Sequence, residues 1–471
     1  MKHIKETERS ASARPGRPAP ASGLGVRELP GYSDWPGGRR LYNKVQKALF
    51  EEASRITGRF PRAGSRFLES TVRPLAGSTL LLVLFTRHNR RVVRGLRSCH
   101  SFLVVPDIHI GDAVMSQPAL TALRDFFPDA RVDYLVNRTA FPLIEGNPEA
   151  SRVLPFFANG SFPSAAELSA LRNLIQDERY DLVLNFCPYV NHRDIGLPGT
   201  RLIDIMSHAP TVVRNEGRPA VINHFAFQTY RFTLDLLSLV ARPRRPEAFP
   251  GLHVRVGDAA VDDARRFAAS AGLPAGRPIV MFNPDAASPF TRLPDEKQAR
   301  LLAAIAGLDA AILVGAGHTE AGIGERIVAT LPASLRSKAI LVPASLSLEA
   351  YTALIDLCDV YVTGDTGPMH LAAARRLSRS GRHDFRNRTA MLSIFGATPA
   401  RMSGYDSFRP GYLPANQKAP SWSYTAGSPC RNITCLNKVF KTCRAVHCFD
   451  DVDAEALAGR IEDYLKSPAR R

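Results

Sequence analysis

Val360 to Ala374 reads VYVTGDTGPMHLAAA, and the period of its apolar residues changes in the middle. Val360, Tyr361, Val362 and Thr363 are β-branched or aromatic and suit a buried strand, whereas Met369, Leu371 and Ala372 to Ala374 are helix formers. The spacing predicts a strand that runs directly into a helix. Between them, Gly364-Asp365-Thr366-Gly367-Pro368 supplies glycines for a tight path, a threonine able to cap, and a proline suited to the first helical turn. Such a turn places a helix start at the carboxyl edge of a strand. Two readings fit it: an anion site, drawn by free amides and the helix dipole, or an ordinary capped βα turn.

Working outward, the chain alternates strand and helix in two series. Phe102–Val105, Val132–Val136 and Leu182–Phe186 read as strands of the first, with Pro118–Phe127 as an amphipathic helix and Phe225–Val240 as a closing helix. Ala241 to Pro246 (ARPRRP) breaks every period and reads as a linker. Pro278–Asn283, Ala311–Val314, Ala339–Val342, Val360–Thr363 and Thr389–Phe395 are the strands of the second series, and Leu346–Leu357 is a clear helix. The expected fold class is α/β, with two facing Rossmann-like domains and a cleft at the carboxyl ends of their strands. The predicted divisions are a basic extension at 1–97, a first domain at 98–245 and a second at 246–471, since 471 residues exceed what one core supports.

Charge is concentrated at one end. Residues 1–97 hold 20 lysines and arginines against 7 acids, which is +13 of the chain's +17. Residues 1–40, rich in Pro, Gly, Ser and Arg, are expected to be disordered. Leu41–Ile56 has helical apolar spacing beside Lys44, Lys47 and Arg55, and Leu75–Phe85 is an apolar run of 11 residues, against the roughly 20 that a spanning helix needs. With Arg87, Arg90, Arg91, Arg94 and Arg97, this region either lies on an anionic membrane surface or packs on the globular body. The aromatic residues do not interleave the basic ones in a recognisable binding pattern, which makes nucleic acid the weaker option. The late first apolar run and three isolated cysteines, Cys99, Cys187 and Cys358, point to a cytoplasmic protein without a secreted disulfide framework.

A second turn complements the first. Pro106-Asp107-Ile108-His109-Ile110-Gly111-Asp112 follows the first strand, so Asp112 is expected in a loop at the carboxyl edge of sheet one, as Asp365 is in sheet two. Facing domains would set a carboxylate against an anion site. That pairing suits transfer from a diphosphate-linked donor: the carboxylate takes a proton from the attacking hydroxyl, and the helix start stabilises the leaving diphosphate. The alternative is that Asp112 caps a helix.

IGDAVMSQPALTALRDFFPDARVDYLV, VTGDTGPMHLAAA and LSIFGATPA together resemble, in order and spacing, glycosyltransferase family 9, the lipopolysaccharide heptosyltransferase family. The likeness spans roughly residues 101 to 465. It implies the GT-B fold, inverting and metal-independent transfer without a cofactor, an acceptor on the N-terminal domain, and a nucleotide sugar, commonly ADP-heptose, on the C-terminal one. By motif, Asp112 would be the general base, with Gly111 and His109 as acceptor-side candidates. Asp365, Thr366, Gly367, Pro368, Met369 and His370 would hold the donor, and Glu320 would lie near the nucleotide. Where the family has a Lys before an aromatic-Pro pair, this chain reads Phe290-Thr291-Arg292-Leu293-Pro294, so Arg292 is the candidate phosphate contact. Arg375 to Arg388 (RRLSRSGRHDFRNR) is a basic insertion, either a solvated loop or a contact for an anionic acceptor.

Weaker signals remain. Val314-Gly-Ala-Gly317 is a partial glycine motif beside the nucleotide. Cys430, Cys435, Cys443 and Cys448 form a C-x4-C-x7-C-x4-C array that fits a structural zinc, free thiols or a redox staple. Val452–Leu465 reads as a terminal helix, which in GT-B proteins often packs back across the domains. The expected activity is sugar transfer to a lipopolysaccharide-core or related glycolipid or polysaccharide acceptor. The alternatives are a non-catalytic nucleotide- or glycan-binding scaffold of envelope assembly, or a nucleotide-sugar epimerase or hydrolase on the same fold.

Overall fold

The computed structural model describes residues 96–158, 160, 163–187, 190, 201–204, 211–215, 218–222, 224–226, 229–230, 233, 237, 251–274, 276–288, 290–377, 389–396, 400–405, 421–426 and 447–467. Residues 1–95 of the N-terminal extension, the linker at 241–246, residues 378–388 of the basic insertion, and Cys430, Cys435 and Cys443 lie outside them.

Two all-parallel sheets form the body. The first has β1 (Ser101–Val105), β2 (Arg131–Val136), β3 (Arg152–Pro155), β4 (Leu182–Asn185) and β5 (Arg201–Asp204), in the order β3-β2-β1-β4-β5. After a hairpin of β6 (Thr211–Asn215) and β7 (Arg218–Ile222), the second sheet runs β10-β9-β8-β11-β12-β13. Its strands are β8 (Ile279–Phe282), β9 (Ala311–Gly315), β10 (Ala339–Val342), β11 (Val360–Gly364), β12 (Ala390–Phe395) and β13 (Ser421–Thr425). The expected strands are present, and β3, β5, β13 and the hairpin are additional. Those are edge or two-stranded elements; β3 is only half-buried, so it lacks the apolar run that marks a central strand.

Alternation along the strands divides the interior into three cores. Phe102 and Val104 of β1 and Tyr134 and Val136 of β2 face one core, whereas Leu103, Val105 and Leu135 face another. In the second sheet, Met281, Leu313, Tyr361 and Met391 join that first core, and Val280, Ile312, Val362 and Leu392 build the third. One core is therefore shared by both domains. The helices Ile110–Met115 and Gly367–Leu377 meet in it, directly beneath the two turns singled out by sequence.

A short segment joins the domains. The side-chain amide of Gln117 donates to the His253 carbonyl at 2.8 Å and accepts from the His253 N–H at 2.6 Å. Arg255 N–H donates to the Leu143 carbonyl at 2.8 Å, and Arg375 Nη1 donates to the Val254 carbonyl at 3.0 Å. Arg375 thus corrects the reading of the insertion. It and Arg376 are buried within a helix, and Arg375 pairs with Asp356 at 2.8 Å, so the insertion's first two arginines are structural. The terminal helix, Ala454–Lys466, also departs from expectation. Leu457, Ile461 and Tyr464 enter the third core, which belongs to the second domain alone, and the helix packs on Asp295–Ala306. Cys448 is buried in the same core.

Candidate active site

The first turn leaves β1 at Val105 and enters the helix Ile110–Met115 with His109 as N-cap. Asp112 is therefore in the first helical turn, neither in a loop nor capping, because the helix begins earlier than its single apolar turn suggested. Its carbonyl accepts from Ser116 N–H at 2.9 Å and Ser116 Oγ at 2.8 Å, and its side chain is 17% exposed. Tyr134, beneath, donates its hydroxyl to the Ala113 carbonyl and braces the helix from the core side. His109 Nδ1 lies 3.6 Å from Asp112 Oδ2 and 4.0 Å from Asp107 Oδ1, on a ring that is 43% exposed. Asp107 was not anticipated. It is buried, its Oδ1 accepts from the Ile108 N–H at 2.7 Å, and burial pushes its carboxyl up, opposed by that hydrogen bond and by His109. Asp107, His109 and Asp112 offer ligand atoms within 4.8 Å of one another, so a cation drawn to this turn would find them first.

The second turn is more closely packed. Thr366 is buried, its Oγ1 accepts from the Met369 N–H at 3.4 Å, and it lies 3.1 Å from Thr363 Oγ1. With Pro368 lacking an N–H and Met369 capped, the Gly367 amide is the first-turn donor left toward an anion. Fewer free amides point there than a bare helix start would offer. The Met369 side chain is fully buried in the shared core, so its place is to seat the turn rather than to touch a ligand. Asp365 is 14% exposed, with Oδ1 at 3.9 Å from His370 Nε2. Burial depresses the His370 imidazole to about 4, against a raising effect of Asp365, so the ring is neutral near pH 7.

The turns touch each other. A Cβ added at Gly111 would sit 2.5 Å from His370 Cδ2, and one at Gly367 would sit 3.2 Å from Ile110 Cβ. Each glycine is the partner of a side chain from the opposite domain. Sequence order had placed Asp112 and Asp365 at two separate sheet edges; contact between these helices makes the edges one site.

Arg292 and Glu320 are brought together, and their contact is with one another. Arg292 Nη1 pairs with Glu320 Oε2, and Glu320 also takes Arg326, which in turn reaches Asp295 Oδ2 at 3.4 Å. The segment lies beside the second turn, since a Cβ at Gly364 would meet the Thr291 carbonyl at 2.7 Å. Thr291, at the family's lysine position, is buried and donates its hydroxyl to the Ser288 carbonyl at 3.0 Å. Asp285, also unforeseen, accepts from the His318 and Thr319 N–H groups at 2.8 and 2.6 Å and so holds the loop that carries Glu320. Gly317 in that loop has φ of +92°, a conformation that requires glycine.

The family model described as glycosyltransferase family 9 (heptosyltransferase) matches residues 250–378. Lipopolysaccharide heptosyltransferase 2 of Salmonella typhimurium is 22% identical over 284 residues, covering 58% of this chain and 79% of that protein. Two solved structures are similar in fold. The ADP-heptose lipopolysaccharide heptosyltransferase II of E. coli has a TM-score of 0.51 at 17% identity, covering 78% of this chain and 98% of its own. The family 9 glycosyl transferase of Veillonella parvula has a TM-score of 0.55 at 18% identity over the same shares. The tandem parallel sheets are accordingly those of a GT-B fold. The family match runs through the second turn and the relatives extend beyond it, so the chain resembles glycosyltransferase family 9, and these similarities support glycosyltransferase activity.

Proposed function

We propose that the chain is an inverting transferase that moves a sugar, heptose from ADP-heptose, to a lipopolysaccharide-core or related glycolipid acceptor, without a metal. The observation that carries this reading is the apposition of the two turns, with Asp112 and Asp365 both partly exposed around the Gly111–His370 contact. Asp112 is the general base. It takes the proton of the acceptor hydroxyl as that oxygen attacks the anomeric carbon, and the bond to the diphosphate breaks on the opposite face. The Gly367 amide, the helix dipole and Arg292 meet the charge that develops on the leaving diphosphate. Arg292 exchanges Glu320 for the phosphates, and Arg326 keeps Glu320 neutralised when it does so. Gly111 and His109 line the acceptor side; Asp365, Thr366, Gly367, Pro368 and His370 line the donor side. The domain division at 245/246 assigns acceptor and donor to different sheets, and residues 41–97 bring the protein to the cytoplasmic face of an anionic membrane. Among the described residues, no helix is long and apolar enough to cross a membrane.

The test is the thermal shift of the purified protein with ADP, UDP, GDP and CMP, with and without EDTA. A ligand at a hundred times its dissociation constant stabilises the folded state by about 2.7 kcal/mol. The expected result is an ADP-selective shift, indifferent to EDTA and lost in Asp365→Ala. A shift abolished by EDTA points instead to a cation at Asp107, His109 and Asp112, and no shift with any nucleotide overturns the donor-site reading.

A further inference from the structure

Tyr405 enters the site from a third element, the turn after the short helix Ala400–Ser403. Its hydroxyl is 2.8 Å from His370 Nδ1, and both residues are buried. We propose that Tyr405 is a positioning residue: it donates its proton to His370 Nδ1 and so fixes the tautomer whose Nε2–H faces Asp365 and the Gly111 helix. The inference deepens the donor-site reading above and rests on it, since a neutral N–H fixed at that point is a donor for an anionic oxygen of a nucleoside diphosphate.

The assignment follows from who can give and who can take. A neutral imidazole carries one proton, and the ring nitrogen nearer a carboxylate is favoured to carry it. Asp365 Oδ1 is the carboxylate oxygen beside Nε2, and at 3.9 Å it biases the proton toward Nε2 but is too far to hold it there by a hydrogen bond. A hydroxyl that donates across the 2.8 Å contact occupies the Nδ1 lone pair and holds that tautomer. Burial, reinforced by Asp365 and Asp112, raises the Tyr405 phenol well above its ordinary range, so that it keeps the proton it offers.

The geometry leaves the ring little freedom to turn. The His370 ring lies against Gly111 with no room for a Cβ between them. Tyr405 also packs against His224, ring centroids 4.8 Å apart at an interplanar angle of 61°. The residue before it, Gly404, would place a Cβ 2.5 Å from Ser423 Oγ and 2.6 Å from the Ala400 carbonyl, which pins the turn that delivers the tyrosine. Three separate stretches of chain therefore converge on one hydrogen bond, an arrangement suited to orienting a donor rather than to filling space.

The experiment is a long-range 1H–15N correlation spectrum of the histidine-labelled full chain, wild type and Tyr405→Phe, with the His370 signals assigned by His370→Gln. Expected are the Nε2–H form in the wild type, appearance of the Nδ1–H form in Tyr405→Phe, and an ADP dissociation constant raised about tenfold in that variant. Nδ1–H in the wild type, or an unchanged tautomer in Tyr405→Phe, overturns the proposal. The wild-type spectrum decides the tautomer even if the variant does not fold. Failure of the wild type to bind ADP overturns the donor-site reading, whereas the spectrum judges Tyr405 independently.

Discussion

The turn at 106–115 and the turn at 364–370 are built alike and finished differently. Both follow the carboxyl end of a strand in the middle of its sheet, both carry a Gly-Asp pair, and both lead into a helix of the shared core. In the first, the histidine is 43% exposed and stands between two carboxylates; in the second, the histidine side chain is 5% exposed and hydrogen-bonded to a buried tyrosine. A base that must exchange protons with solvent at every turnover needs the open form. On the proposed function, the closed form suits a site that holds a diphosphate in one place, because donors already oriented lose little on binding.

The largest effect is expected from breaking the open turn alone. Asp112→Ala should lower kcat by about 10²–10⁴-fold. ADP affinity, measured by calorimetry, should stay at the wild-type value; equal losses in both would remove Asp112 from its role. Next comes the contact that couples the turns. Gly111→Ala forces a methyl toward a ring that cannot retreat, and should destabilise by about 1–3 kcal/mol in urea unfolding. It should also weaken ADP, although Gly111 belongs to the first domain, and a variant that binds ADP normally would show the turns to be independent.

The closed turn should also show in pH. Burial holds His370 at about 4 and His224 at about 3, both below their ordinary value. As pH falls below about 6.5, the unfolded chain takes protons that the folded chain refuses, so stability falls by up to about 1.4 kcal/mol per pH unit for each histidine. Above that pH their contribution is flat. Asp356, pushed up to about 6 by burial, works in the opposite sense as pH falls through that value, so the informative quantity is a difference. Urea midpoints of wild type and His224→Gln from about pH 7.5 to 5 should diverge, with the shallower slope in the variant. Parallel curves would mean that His224 is protonated in the folded state. The smallest effect is the cap: Thr366→Ala should cost about 1 kcal/mol and lower the melting temperature by about 2–4 °C.

Much of this molecule is legible along the chain. The β-branched runs at 102–105, 280–282, 311–314 and 360–363 alternate between two cores as period 2 requires, and Thr366 and Pro368 mark a helix start that is present. Among the edge strands, β10 was legible and β3 was not, because the residues of β3 are only partly buried and its apolar signal disappears. The reading of Asp112 as a loop residue failed because a helix of six residues is too short to show a period.

What sequence alone determined is local: the two parallel sheets, the turns at their edges, the residue types able to take a proton or meet a phosphate, and the resemblance those motifs carry. Tertiary structure decided which of those residues face each other. Arg292 against Glu320, Arg375 buried against Asp356, Gly111 against His370 and Tyr405 behind His370 join positions 19 to 259 residues apart in the chain. Spacing along a strand or helix specifies one face of that element, but a pair across two elements exists only once both faces have been packed into the same core.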